Sequence, residues 1–256
     1  IMKRQSDSYF YFWAHSKLQQ AAFSLIPEDE RDGLPLGLGK LLFDMSSRER
    51  YLDQEVLLYV AADQLNQVNK ILLSQEGEDM RFDLARLNLQ AAKLSISKSA
   101  FYPAIKLLRT GISLLCSASA EMWSEHYDLS LELYNLLLEN QYTIGNQDEA
   151  KVAIDQVLKQ SRSSTDKFRA IACLLEITTN GKDRCFDRGI AMCLEILQGH
   201  GIKLPNKPTN SRIAQEERRL TKALPNGKFE DLLHLSLMED KVVVCISAFL
   251  GKLAQF

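Results

Sequence analysis

The segment at 131–158, LELYNLLLENQYTIGNQDEAKVAIDQVL, narrows the fold more than any other, because it reads as two helices joined by a short turn. Tyr134, Leu137, Leu138 and Tyr142 recur at helical spacing, and Gly145 supplies the permissive backbone that ends many helices in a left-handed turn. Asn146 is placed to cap the next helix, with Glu149 three residues on to complete a capping box. Ala150, Ala153, Ile154, Val157 and Leu158 then form one apolar stripe, opposite Asp148, Lys151, Asp155 and Lys159. Small Ala150 stands where the second helix is expected to approach the first closely.

The same offsets return elsewhere. Counted from Ala104 they give Leu107, Leu108, Gly111 and Ile112; counted from Gly189 they give Met192, Cys193, Ile196 and Leu197. Each stripe follows a partner helix, marked by Leu84, Leu87, Ala91 and Leu94 for the first and by Phe168, Ala172 and Leu175 for the third. The small residues lie 46 and then 39 residues apart, so the units are degenerate. They resemble tetratricopeptide repeats, whose usual period is about 34 residues. The expected fold is all-α, a right-handed superhelix of tetratricopeptide-like hairpins in which Tyr134, Gly145, Ala104, Ala150 and Gly189 are packing positions.

Composition agrees with a helical chain and excludes several classes of function. The net charge of −2 over 256 residues argues against a general polyanion binder, and glycine and proline are scarce. The basic stretch of Arg212, Arg218, Arg219 and Lys222 is interrupted by Glu216 and Glu217 and holds no stacking aromatic, so it reads as a solvated helix face rather than a nucleic-acid site. No apolar run reaches the length of about 18 residues that a membrane-crossing helix needs. The cysteines at 116, 173, 185, 193 and 245 have no CxxC spacing and read as reduced core residues of a cytoplasmic protein. The chain begins at Ile1 and stops at Phe256 inside KVVVCISAFLGKLAQF, so it is expected to be a piece of something longer.

The amino-terminal stretch differs from the repeats. Residues 9–13 favour a strand, Ser16 is placed to cap a short helix through Leu18, Ala21, Ala22 and Leu25, and Pro27 opens the next turn. PEDERDGLPLGLGKLLF reads as a second helix with acidic residues near its start. A strand leading into packed helices suits the tail of a winged-helix module.

The string FWAHSKLQQAAFSLIPEDER resembles the segment that closes the ATPase module of large STAND-type signalling ATPases. In these a serine/threonine kinase domain commonly precedes the ATPase, and GAF and histidine-kinase domains can follow. QLNQV at 64–68, DLARLNLQAAKLSISKSAFYPAIKLLRTGISLL and CLEILQGHGIKLP extend the resemblance over nearly the whole chain. It implies a winged-helix-like end of an ATPase module at 1–45, helical repeats at 46–202, and a linker with the start of further repeats at 203–256. It also implies that His15 matches a nucleotide-sensing histidine, although Ser16 replaces the aspartate that would follow it. ATP or ADP would then belong to the parent protein, with no cofactor in this segment.

The chain's own residues offer no reaction chemistry. Gly37-Leu38-Gly39-Lys40 lacks the spacing and the hydroxyl residue of a phosphate-binding loop, and no kinase catalytic-loop motif occurs. His126 lies between Glu125 and Asp128 without a second histidine one turn away, and reads as part of a solvated helix start. His200, between two glycines, reads as a helix end. After the linker at 203–210 and the turn Pro225-Asn226-Gly227, Leu232, Leu235 and Met238 are expected to begin another helix. The expected role is a non-catalytic regulatory region that binds a protein or peptide partner, or other domains of its own chain; the alternative is a stand-alone adaptor.

Overall fold

The computed structural model describes residues 2–5, 8–11, 15–27, 33–46, 54–118, 122–181, 184–205, 208–224 and 237–255. A short antiparallel ribbon opens the chain: β1 (Met2–Gln5) pairs with β2 (Ser8–Tyr11), Met2 opposite Tyr11 and Gln5 opposite Ser8. Beyond it the described regular structure is helical, and the fold is an all-α array of helices packed in adjacent pairs. Contacts divide the chain into an amino-terminal unit, Ile1–Ile144, and a carboxy-terminal unit, Gly145–Phe256. The boundary falls on the turn at Gly145.

The amino-terminal unit contains α1 (Ser16–Ser24), α2 (Gly33–Ser46), α3 (Gln54–Gln67), α4 (Asn69–Ser97), α5 (Phe101–Ala118), the single turn α6 (Met122–Glu125) and α7 (Tyr127–Thr143). The acidic residues expected at the start of α2, at 28–32, lie outside the described residues. Helix α2 packs on α3, α3 on α4, α4 on α5, and α5 on α7. The interior of this unit is built on Leu65, Leu84, Leu87, Leu108, Leu115, Leu133 and Leu138, all essentially closed to solvent. Each such side chain contributes about 1.5–3 kcal/mol of burial.

Two glycines set how closely these helices approach. Gly39 sits mid-helix in α2, and a Cβ there would come within 2.6 Å of Leu65 Cγ and 3.3 Å of the Leu65 backbone nitrogen. The Gly-Leu-Gly-Lys string is therefore a helix contact and does not form a loop. At Gly111 of α5 an added Cβ would meet Leu133 at 3.0 Å and the Ala85 carbonyl at 3.5 Å, a milder crowding.

Several expectations about the amino-terminal end change. The residue that caps α1 is His15, not Ser16: its Nδ1 accepts a hydrogen bond from the Lys17 backbone N–H at 3.1 Å. Its carbonyl accepts from Leu18 N–H at 3.0 Å. The apolar face expected on α1 stays open, with Leu18 and Leu25 exposed. A helix this short covers little surface without a partner lying on it.

The carboxy-terminal unit contains α8 (Gln147–Gln160), a 3-10 turn at Thr165–Lys167, α9 (Phe168–Asn180), α10 (Phe186–Gly199), α11 (Asn210–Ala223) and α12 (Lys241–Leu253). Phe168, Leu175, Cys193, Leu197 and Phe249 form its buried cluster, with Met192, Ile196, Cys245 and Leu253 packed around them. Glu176 of α9 and Lys252 of α12 form an ion pair at its edge. Ala172 is exposed and Cys173 buried, so the face predicted for α9 is rotated from the expected stripe. Met238 precedes α12 rather than lying in a helix: the helix starts at Lys241, where Asp240 Oδ1 accepts from Val242 N–H at 2.8 Å and Val243 N–H at 3.2 Å. Leu232 and Leu235, like the Pro225-Asn226-Gly227 turn, lie outside the described residues.

The three aligned small residues occupy one structural position. The amide of Ala104 bonds the Ala100 carbonyl at 3.2 Å, that of Ala150 the Asn146 carbonyl at 3.0 Å, and that of Gly189 the Cys185 carbonyl at 3.1 Å. In each case the small residue closes the first helical turn onto the capping residue, and all three are buried. Asn146 stands at the capping position but its side chain makes no capping hydrogen bond, unlike the expected box. Gly145 does adopt the left-handed conformation, at φ 84°.

Two other helix ends share one geometry. After α10, Gly201 (φ 84°) donates to the Gln198 carbonyl and Ile202 to the Leu197 carbonyl. After α4, Ser99 (φ 57°) donates to the Ile96 carbonyl and Ala100 to the Ser95 carbonyl. Both are Schellman ends; the second places a serine where glycine has no steric penalty.

Candidate partner-binding groove

Helices α3 and α5 both lie on α4, and a groove runs between them. Its larger part, about 600 Å³, is lined by Tyr59, Asp63, Asn66 and Gln67 from α3 and by Tyr102, Pro103, Lys106 and Thr110 from α5. A smaller part, about 260 Å³, shares Tyr59 and Pro103 and adds Val56, Leu94, Ser95 and Ala100. Glu55 and Lys98 stand at its rim, 3.3 Å apart. Tyr102 is 74% exposed and Tyr59 38%, so both rings stand open beside the groove.

A pair of asparagine side chains holds the groove wall. Asn66 Nδ2 donates to Asn88 Oδ1 at 2.8 Å, and Asn88 Nδ2 donates back to Asn66 Oδ1 at 2.9 Å. Asn88 Nδ2 also donates to the Leu84 carbonyl at 2.8 Å, and Asn88 itself is wholly buried. Both Asn88 amide hydrogens are therefore used. Asn66, which is only half-buried, keeps one N–H and one oxygen lone pair beyond those spent on Asn88. Reciprocal bonding fixes its plane before any ligand arrives.

The charges along the groove are unequally engaged. Asp63 Oδ2 accepts from Gln67 Nε2 at 3.1 Å and from Gln64 Nε2 at 3.4 Å. Lys98 is taken by Glu55. Among the described residues, Lys106 has no ion-pair partner, and its carbonyl accepts from Thr110 Oγ1 at 3.0 Å.

The residues singled out from sequence fall elsewhere. His15 is an exposed helix cap. Tyr134 stacks on Trp123 at 5.2 Å, and burial, followed by the nearby Cys116 charge, pushes its phenol up. His126 does stand at the start of α7, between exposed Glu125 and Asp128, but is itself half-buried, with its ring 3.7 Å from that of Phe82. His200 does end α10, and its ring packs 5.3 Å from Phe168.

All five cysteines are free thiols, and Cys173 and Cys193 are buried, but Cys116 and Cys185 are exposed. Burial pushes the Cys193 and Cys245 thiols up, away from the reactive thiolate. Among the described residues no group of three or more His, Cys, Asp or Glu side chains is placed to hold a metal ion, and no helix is long and apolar enough to cross a membrane.

Sequence reasoning missed the groove. QLNQV and the LNLQ of the first repeat carry Asn66 and Asn88, but nothing in either string announces that two amides 22 positions apart bond each other. Tyr102 and Lys106 lay off the apolar stripe of α5, and that displacement was the only local signal.

The described helices form an array of adjacent pairs, with an open groove between α3 and α5. No family model and no solved structure matches the chain. Over 220 residues, 78% of its length, it is 24% identical to hybrid signal transduction histidine kinase G of Dictyostelium discoideum, and the match spans 6% of that protein.

Proposed function

We propose that this chain is a non-catalytic regulatory and protein-interaction region of a larger, nucleotide-dependent signalling protein of the STAND ATPase and kinase kind. The α3–α5 groove carries the reading: an open cleft with exposed aromatics and an amide fixed from behind is suited to recognition. The kinase likeness supports the signalling context, and the short fraction of that relative covered suits a region within a larger machine. Helix pairs stacked on their neighbours transmit small displacements, which suits a relay between a bound partner and other domains. The hydrolytic and phosphoryl-transfer chemistry then belongs to other domains of the parent, with ATP or ADP bound there, in the cytoplasm.

Calorimetry tests this division. ATP and ADP titrated into the chain should give no saturable heat, while the full reading frame binds nucleotide. Tight nucleotide binding to residues 1–256 alone contradicts it.

A further inference from the structure

We infer that the cavity between α10, α11 and α12 holds a long-chain carboxylate, its alkyl chain on the apolar walls and its head group at Lys203 and Arg212. The site lies wholly within the carboxy-terminal unit and uses neither the α3–α5 groove nor nucleotide. Its volume of about 1280 Å³ accommodates a whole small amphiphile.

Local sequence builds the walls. Gly201 and Ile202 close the end of α10 onto the Gln198 and Leu197 carbonyls, and the chain that leaves this turn lines the cavity with Lys203, Leu204 and Pro205. Thr209 Oγ1 accepts from Arg212 N–H at 3.4 Å and starts α11, which buries none of its own residues. Ile213 and Leu220, seven positions apart on one face of α11, line the cavity and stay exposed. Ile190 and Leu194 of α10 and Leu250 and Leu253 of α12 complete the apolar lining. Apolar side chains gathered on one concave surface, with a few polar groups among them, favour a ligand with an apolar body.

Charge selects the head group. Three basic side chains, Lys203, Arg212 and Arg219, line the cavity with two acidic ones, Glu216 and Glu217, so one positive charge is in excess. Arg219 Nη1 and Glu216 Oε1 pair at 2.9 Å. Lys203 and Arg212 then stand against Glu217, and none of these has an ion-pair partner among the described residues. One carboxylate brings the lining to neutrality, whereas a cationic head doubles the excess and a dianion reverses it.

Isothermal titration calorimetry of the delipidated whole chain with dodecanoate and with dodecyltrimethylammonium, both below their micelle concentrations, tests this. Dodecanoate should saturate at a single molecule and bind about tenfold more tightly than the cation, an advantage that shrinks as salt is added. Decanoate, shorter by two methylenes, should bind about tenfold more weakly than dodecanoate. Lys203→Glu turns the excess charge negative and should reverse the preference between the two heads. Leu220→Glu, at an exposed position, should abolish dodecanoate binding without moving the melting temperature. Equal affinity for the two heads, a preference that survives Lys203→Glu, or dodecanoate binding that persists in Leu220→Glu overturns the assignment, as does the lack of saturable heat at either of two temperatures.

Discussion

The two units are built from similar helices but have different interiors. Among the described residues, the amino-terminal unit buries Asn88, Ser95, Ser130, Asn135, Asn140 and Gln141, while the carboxy-terminal unit buries only Thr179 of comparable polarity. Its centre is instead Phe168 against Phe249, ring centroids 5.7 Å apart, with Leu175, Leu197 and Cys193. Apolar packing is tolerant of partner and angle, whereas a buried amide is satisfied in one arrangement only. Of these residues Asn88, bonded to Asn66, fixes α3 against α4 in register, whereas Ser95 and Asn140 bond carbonyls of their own helices. The apolar interior supplies cohesion to the carboxy-terminal unit, whose cavity of about 1280 Å³ is lined by Lys203, Arg212, Glu216, Glu217 and Arg219 beside apolar side chains.

Mutations should separate the two interiors. Phe249→Ala removes the aromatic centre of the carboxy-terminal cluster and should cost about 3–5 kcal/mol in denaturant unfolding. An effect under about 1 kcal/mol would mean that the cluster does not hold that unit together. Asn88→Leu fills a similar volume but leaves the Asn66 amide facing an apolar group, so about 1–3 kcal/mol should be lost. A neutral result would deny the asparagine pair its part in fixing the register. Ser99→Gly relieves the left-handed serine at the end of α4 and should stabilise by about 1 kcal/mol. Destabilisation there would show that the serine side chain holds the turn.

What could be read in the sequence follows the same division. The apolar stripes at Ala104, Ala150 and Gly189 were legible because burial imposes a period of its own on the residues. The Gly145 turn was legible because φ 84° favours glycine. Ser99 adopts the left-handed region without that signature, and so passed unnoticed. The cap at His15 was misplaced by one residue because serine is the commoner capping side chain, while the imidazole Nδ1 accepts the same backbone hydrogen bond.

The hairpin expected at 131–158 resolves into its two helices and its glycine turn, with the unit boundary at that turn. The groove was invisible for a different reason. Its Asn66–Asn88 pair is a contact between two helices, and hydrophobic period describes one helix at a time.

The central claim is that partner recognition belongs to the amino-terminal unit, at the α3–α5 groove. Amide and side-chain NMR spectra recorded while a randomised nonapeptide library is added test it most directly. The account predicts shifts concentrated at the Asn66 side-chain amide and around Tyr59, Tyr102 and Lys106, with α9, α10 and α12 unmoved. Shifts confined to the carboxy-terminal cluster, or an Asn66 amide that does not respond, would contradict it.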